Sequence, residues 1–381
     1  MRVALVHDYL TQYGGAERVL EVLHGMYPDA PVFTSLYDPE NLPVALQQWD
    51  IRTSPLAKLP GADSTHRLWT PIYPQIFHQL GRSIPDDVDA VIADSSAWSH
   101  HAAPGSPDIP LISYCHSPAR FLYGDRDYLE AAKLGPLRPL ANAVFSMLRA
   151  QDKKAAKRVT RFIANSNAVR DRIRNVYDRD AEVIYPPIDI ERFKPTTPVE
   201  PEDWFLVVSR LVPHKWIDRA VRGATAANVP LKIIGSGRAE AELRALAGPT
   251  IEFLGERSDA DVVDHMQRCK ALILPGVEDF GMTAIEAQAA GRPVIAARGG
   301  GALETVVDGK TGWHFSTTDE SELIALLLQS KAWDTDRIQQ HAAGFGREAF
   351  EAQIRQLVSD TVSTSRQENP DNRNVKGTVL K

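Results

Sequence analysis

Ala271-Leu-Ile-Leu-Pro275 leads through Gly276-Val277 into Glu278-Asp-Phe-Gly-Met-Thr-Ala-Ile-Glu286, and this join decides the fold. The apolar run closed by a proline reads as a buried strand. Gly281 then opens a helix, with one carboxylate, Glu278, in the loop before it and a second, Glu286, one turn inside. In open parallel sheets, strand ends and helix N-termini are where anionic nucleotides dock. Backbone N–H groups around Phe280, Gly281, Met282 and Thr283 can take up pyrophosphate oxygens. The two carboxylates are left to accept hydrogen bonds from hydroxyls, sugar at one end and ribose at the other.

Outward from that join, short apolar runs alternate with helical patterns along the chain. Val3–His7, Pro31–Leu36, Val88–Ala93, Pro110–Cys115, Arg161–Ala164 and Glu182–Ile184 read as strands of a first half. Trp204–Ser209, Leu231–Ile234, Ile251–Leu254, Ala271–Leu274 and Pro293–Ala296 read as strands of a second. Strand–helix alternation at this spacing predicts parallel sheets covered by helices, an α/β chain of two doubly wound, Rossmann-like domains facing across a cleft. Between them lies Tyr185-Pro-Pro-Ile-Asp-Ile-Glu-Arg-Phe-Lys-Pro-Thr-Thr-Pro198, with four prolines and no period. The expected organisation is residues 1–185 as an N-terminal domain, 186–202 as a linker and 203–345 as a C-terminal domain. Residues 346–362 are expected as a helix returning to the first domain, and 363–381 as a disordered tail.

The gross numbers agree with such a chain. A length of 381 residues exceeds one ordinary core. Apolar content of 43% and charged content of 24% are globular values, and a net charge of -6 argues against a nucleic-acid binder. Two cysteines, Cys115 and Cys269, build no disulfide framework and suit a reducing compartment. The N-terminal apolar run is too short for a signal peptide, and no stretch approaches the roughly 20 apolar residues of a spanning helix.

Five further places carry candidate chemistry. The loop His7-Asp8-Tyr-Leu-Thr-Gln-Tyr-Gly14-Gly15-Ala-Glu17 puts two glycines between a strand and a helix, where backbone can approach a ligand, although a tight turn without one is the more ordinary reading of a lone Gly-Gly pair. It lacks Gly-x-Gly-x-x-Gly, which weakens a dehydrogenase. Arg210 and Lys215 flank the end of the second domain's first strand and offer a fork and a point charge for phosphate. Gly235-Ser-Gly237 follows the next strand and reads as a phosphate-side turn or as a hinge, and Gly299-Gly-Gly301 reads as a helix entry. His116 closes the strand ending at Cys115, where it can hydrogen-bond a sugar hydroxyl or cap the strand.

No metal site is expected. Asp-x-Asp pairs at 87/89, 125/127, 178/180 and 334/336 stand in acidic turns rather than at apolar strand ends, and no His/Cys cluster has zinc spacing. One charge cluster does stand out. Between Arg138 and Arg174 ten Lys/Arg face two Asp, preceded by a stripe of Leu140, Val144, Phe145 and Leu148. Such a patch can rest on anionic lipid or be a solvated basic face; attachment to an anionic membrane surface is the expectation.

Assembled, these residues resemble a retaining glycosyltransferase of family 4 with the GT-B fold. The similar segments are Val-His-Asp-Tyr-Leu with Gly-Gly-Ala-Glu17, Tyr-Cys-His-Ser-Pro-Ala-Arg120, Asn165-Ser, Tyr185-Pro-Pro-Ile-Asp189, Ser-Arg-Leu-Val-Pro213 and the Glu278/Glu286 block. Within the family, the chain most resembles the WbaZ-like bacterial mannosyltransferases of O-antigen and exopolysaccharide assembly. The resemblance implies that Arg210 and Lys215 hold the diphosphate, Glu278 binds the donated sugar and Glu286 the ribose. His116 would line the reacting centre and Gly14-Gly15 would border donor and acceptor. It implies no cofactor and no metal, retention of configuration, a nucleotide-sugar donor (GDP-mannose first) and a lipid-linked saccharide acceptor at the cytoplasmic, inner face of the cell membrane. Trp216 departs from the pattern, since relatives often place a second basic residue after the lysine. Rival readings are a UDP- or dTDP-sugar donor, a nucleotide-sugar epimerase on the same architecture, and a sugar-binding module without turnover.

Overall fold

The computed structural model describes residues 1–62, 65–124, 138–329 and 331–368. The chain forms two compact units, one of Met1–Ile184 with the segment from Glu351 and one of Tyr185–Phe350.

The first unit is built on a seven-stranded sheet of order β3-β2-β1-β4-β5-β6-β7, with every pairing parallel. Its strands are β1 (Val3–His7), β2 (Val32–Thr34), β3 (Ile51–Thr53), β4 (Ala90–Ser95), β5 (Leu111–Cys115), β6 (Arg161–Ala164) and β7 (Ala181–Val183). β1, β4 and β5 are buried along their whole length, the near-continuous apolar signature of strands covered on both faces. The order reverses direction between β1 and β4, the switch point at whose carboxyl edge doubly wound sheets bind ligands.

The second unit repeats this plan with six parallel strands in the order β10-β9-β8-β11-β12-β13. They are β8 (Phe205–Val208), β9 (Leu231–Ile234), β10 (Ile251–Gly255), β11 (Ala271–Leu274), β12 (Val294–Ala297) and β13 (Gly312–Phe315). Its switch point lies between β8 and β11. One face of the sheet packs Leu206, Leu272 and Val294 under the Met282–Ala289 helix, and the other packs Val207, Ile233 and Ile295 under the Ile217–Ala227 helix.

Two strands had no apolar run to announce them. β3 is a three-residue edge strand whose residues are half-buried or exposed, and β13 opens on Gly312 at the opposite kind of edge. The proline-rich connection is more than a spacer. It contains the short helix Ile190–Phe193, and Ile188 and Phe193 are buried in the second unit's core. The C-terminal helix runs Arg347–Glu368, six residues into the segment expected as a tail. Ile354, Val358 and Val362 are buried, and Arg366 pairs with Asp89 of the first unit. The final residues lie outside the described ones.

Candidate functional site

In the first unit, register places three polar residues at the switch point. His7 of β1 pairs with Asp94 of β4, and Ser95 pairs with Cys115 of β5, one residue before His116. Asp94 Oδ1 lies 2.6 Å from His116 Nε2, and Oδ2 lies 2.8 Å from His7 Nδ1. The far side of the His7 ring, Nε2, is 3.3 Å from Glu17 Oε1. The other oxygen of Glu17 accepts from the Gly14 N–H at 2.8 Å. His7, Asp94 and Glu17 are buried, and the His116 side chain keeps 14% of its exposure. Burial alone would pull the His7 imidazole down, but the Asp94 and Glu17 carboxylates outweigh it and raise it to about 10. Burial pushes Asp94 up, yet His116 and His7 outweigh that and hold it below the usual carboxylate range.

Asp8 has a different task. Its carboxylate accepts from the N–H groups of Ser96 (2.8 Å), Trp98 (2.8 Å) and Ser99 (2.6 Å), which ties the loop after β4 to β1. The glycine loop is likewise committed. Glu17 sits in the first turn of the Gly15–Met26 helix and already supplies the negative charge that helix start favours. The Gly14 N–H is thus already taken up by Glu17.

In the second unit, Lys215 Nζ donates to both carboxylate oxygens of Glu278 at 2.6 Å, with side-chain exposures of 21% and 16%. Tight backbone packing brings these distant residues together. A Cβ at Gly276 would stand 2.7 Å from the Lys215 carbonyl, and one at Gly300 only 2.1 Å from the Glu278 carbonyl. Gly301 N–H also donates to Glu278 O at 2.9 Å. The Gly299–Gly301 run thus makes room for the backbone that carries Glu278. Gly235 serves the same end at φ +129, where a Cβ would stand 2.0 Å from the Ser209 carbonyl next to Arg210. Leu211 N–H then donates to Ser236 O at 2.8 Å, stitching the loops after β8 and β9 together. A Cβ at Gly237 would meet the Leu211 carbonyl at 2.3 Å.

Gly281 takes a left-handed φ of +87 as N-cap of the Met282–Ala289 helix, and no side chain caps it. Met282 and Thr283 are half-buried in that first turn, and Glu286 is buried within the helix. Arg210 is exposed at the end of β8. Phe280 is not available as a side-chain contact. Its ring is buried 5.5 Å from Tyr185 and 5.8 Å from Phe345, so only its backbone borders the loop. Glu304 accepts from the Tyr185 hydroxyl at 3.1 Å. Trp216 takes a left-handed backbone ahead of the Ile217–Ala227 helix, and the Arg219 guanidinium lies 3.3 Å over its ring. A cation thus stands beside the loop even where the basic residue is missing from the chain.

The acidic pairs are structural where they are described. Asp87 pairs with Arg2, Asp89 accepts from the Arg2 N–H at 2.9 Å, and Asp334 caps the Thr335–Ala343 helix. Asp178 ends the Asn167–Tyr177 helix in a left-handed turn. Asp125 and Asp127 lie outside the described residues. Among the described residues one group, His100, His101 and Asp152, has metal-ligand spacing, which sequence distance had hidden. Asp152 is already served by Tyr123 (2.8 Å), Tyr177 (2.9 Å) and His101 (3.0 Å), as a buried charge satisfied by hydrogen bonds.

The basic region divides in two. Leu148 is fully buried, and Val144 and Phe145 pack against the core, so the apolar stripe of the Arg138–Ala156 helix faces inward; Leu140 stays 65% exposed. Arg149 and Arg172 are held by the Leu122 carbonyl and the Ser117 hydroxyl. Lys153, Lys154, Lys157 and Arg158 remain exposed in one run. Neighbouring His78 is lowered by burial and then by Arg82, Arg158 and Lys154, the mark of a locally positive surface. Among the described residues no helix is long and apolar enough to cross a membrane.

Two family models account for nearly all of this. Residues 13–192 match Glycosyltransferase Family 4, and residues 189–342 match Glycosyl transferases group 1. The chain belongs to glycosyltransferase family 4. A Corynebacterium glutamicum GDP-mannose-dependent monoacylated alpha-(1-6)-phosphatidylinositol monomannoside mannosyltransferase is 33% identical over 170 residues, 37% of this chain and 44% of that protein. A Streptomyces avermitilis D-inositol 3-phosphate glycosyltransferase is 27% identical over 61% of this chain and 59% of its own length. The matches thus span about half the length of these curated relatives. The Anabaena HepE structure in complex with UDP superimposes with a TM-score of 0.70 at 21% identity, over 94% of this chain and 100% of that one. The lipopolysaccharide outer core galactosyltransferase WaaB gives 0.67 at 18% identity, over 96% and 100%. The fold is GT-B, with two parallel Rossmann-like sheets and a C-terminal helix, in a family that acts with retention.

Proposed function

We propose that this family 4 member transfers a hexose, with retention, from a nucleoside-diphosphate sugar to a lipid-linked saccharide in surface polysaccharide or glycolipid assembly. The Lys215–Glu278 pair carries the reading, because a fixed cation and a carboxylate able to accept from hydroxyls stand together in the loops after β8 and β11. Lys215 spends two of its three N–H groups on Glu278 and has a third for phosphate. In the proposed complex Arg210 and Lys215 take the leaving diphosphate, Glu278 holds sugar hydroxyls, Glu286 meets the ribose, and the amides from Gly281 to Thr283 add dipolar support. Residues 203–345 then serve as the donor domain and 1–185 as the acceptor domain. His116 lines the reacting centre.

Mannose from GDP-mannose is the first donor, supported by the WbaZ-like resemblance and by the GDP-mannose-dependent relative. A UDP-sugar is the second, favoured by the UDP held in the HepE structure. A thermal-shift series with GDP-mannose, UDP-glucose and a dTDP-sugar separates them, since a ligand that binds the native state raises the melting temperature. No shift with any of them removes the donor site. Product that appears without an acceptor would identify an epimerase instead. Donor binding with no product would identify a binding module. The exposed Lys153–Arg158 run is the proposed contact with anionic lipid on the inner face of the cell membrane. Sedimentation with vesicles that shows no preference for anionic over neutral lipid would end that part.

A further inference from the structure

A buried chain of hydrogen bonds joins the glycine loop to His116: Gly14 N–H to Glu17, Glu17 to His7, His7 to Asp94, and Asp94 to His116. We propose that Asp94, backed by His7 and Glu17, is a positioning residue that fixes His116 as its Nε2–H tautomer and so presents Nδ1 to a ligand hydroxyl. This rests on the transferase reading above, and the relay itself can be tested without it.

The chemistry follows from donor and acceptor inventories. A carboxylate only accepts, so a ring nitrogen 2.6 Å from Asp94 Oδ1 carries the proton. When that ring is neutral its lone pair is at Nδ1, the atom left for a ligand O–H. Asp94 cannot swing away, because its second oxygen is held at 2.8 Å by His7, whose opposite nitrogen is braced by Glu17. His7 is held protonated by the same two carboxylates, so it donates at both ends. Of Glu17, His7, Asp94 and His116, the first three are sealed and His116 alone is half-buried. A row of sealed groups ending on one accessible imidazole is what orienting that imidazole requires, whereas strand capping would need only the His116 N–H, which already donates to the Ser95 carbonyl at 2.8 Å. Because Glu17 also holds Gly14, the loop and His116 share one support.

Long-range 15N NMR of the imidazoles in the full-length protein reads the tautomer directly, with the His116 signal identified by its loss in His116→Gln. The expected result is a protonated Nε2 and a bare Nδ1; a predominant Nδ1–H form overturns the proposal whether or not an Asp94 variant folds. Asp94→Asn can accept from only one of its two neighbours, so it should redistribute the His116 tautomers. It should lower kcat by roughly 10- to 100-fold, the size of loss met when the carboxylate that orients a metal-bound histidine is removed. The KM for donor should change little. In a His116→Gln background the same change should cost nothing further. Additive losses, or an Asp94→Asn enzyme at full kcat, would show that the chain is only structural. Absence of transfer by the wild-type protein would sink the transferase reading while leaving the tautomer result standing.

Discussion

Replacing Lys215 with methionine tests the donor site most directly, because the structure sets the size of the effect. At 2.6 Å and an effective dielectric of about 20, the Lys215–Glu278 attraction is about 6 kcal/mol gross. Desolvation of two mostly covered groups takes back much of it, leaving the net worth of a charge-assisted hydrogen bond, about 2 kcal/mol. For a unit of this size each kcal/mol shifts the melting temperature by roughly 2–4 °C, so Lys215→Met should melt roughly 4–8 °C lower. Turnover should suffer more. A donor aimed at charge that develops in the transition state is worth about 3 kcal/mol, or on the order of 100-fold in kcat. The assay is a double-mutant cycle of Lys215→Met and Glu278→Gln, with kcat and melting temperature measured for all four proteins. Coupling below about 0.3 kcal/mol in stability would show that the pair contributes nothing measurable. Turnover within twofold of wild type in Lys215→Met would refute the phosphate role.

Three further outcomes are expected. Gly235→Ala should cost about 3 kcal/mol or more by urea unfolding, because its φ is +129 and the new Cβ would stand 2.0 Å from a carbonyl oxygen; a variant as stable as wild type would remove the close-approach argument. The His7–Asp94 contact should shape stability at both ends of the pH scale. His7 is raised from 6.5 to about 10, so its contribution is complete below pH 6.5 and lost as pH rises through about 10. Asp94 is lowered from 3.8, so its contribution is present above that pH and lost below it; unfolding free energies that stay level from pH 6.5 to 10 would contradict the pairing. Transfer should survive exhaustive dialysis against EDTA, and a strict requirement for Mg or Mn would overturn the metal-free mechanism.

Much of the fold was legible because parallel strands covered on both faces must be apolar throughout. Ala271–Leu274 and Leu231–Ile234 appear in the structure with the expected bounds. β3 was not legible, since an edge strand half open to water needs no apolar run, and β13, though largely buried, hides its run by opening on Gly312 and burying the polar His314. Phe280 looked like a ligand contact because it adjoins Gly281, yet Tyr185 and Phe345 enclose its ring. The stripe of Leu140, Val144, Phe145 and Leu148 was visible, but whether it met lipid or core depended on neighbours far away in the chain. A signal for Asp94 did exist. A carboxylate at the end of a run as apolar as Val88–Ala93 has to find donors when it is buried.

Residue pattern alone set two parallel α/β sheets, the break between them near the prolines, and a loop–helix join that carries a glycine and two carboxylates. Those are local matters of period, backbone freedom and residue chemistry within a few turns of chain. Only the tertiary structure decided that Lys215 grips Glu278, that His7 and Asp94 stand side by side, and that Glu17 closes the glycine loop. Those contacts join residues 63, 87 and 10 positions apart. Strand order and register set which strand ends become neighbours, and a hydrogen bond depends on that proximity rather than on separation along the chain.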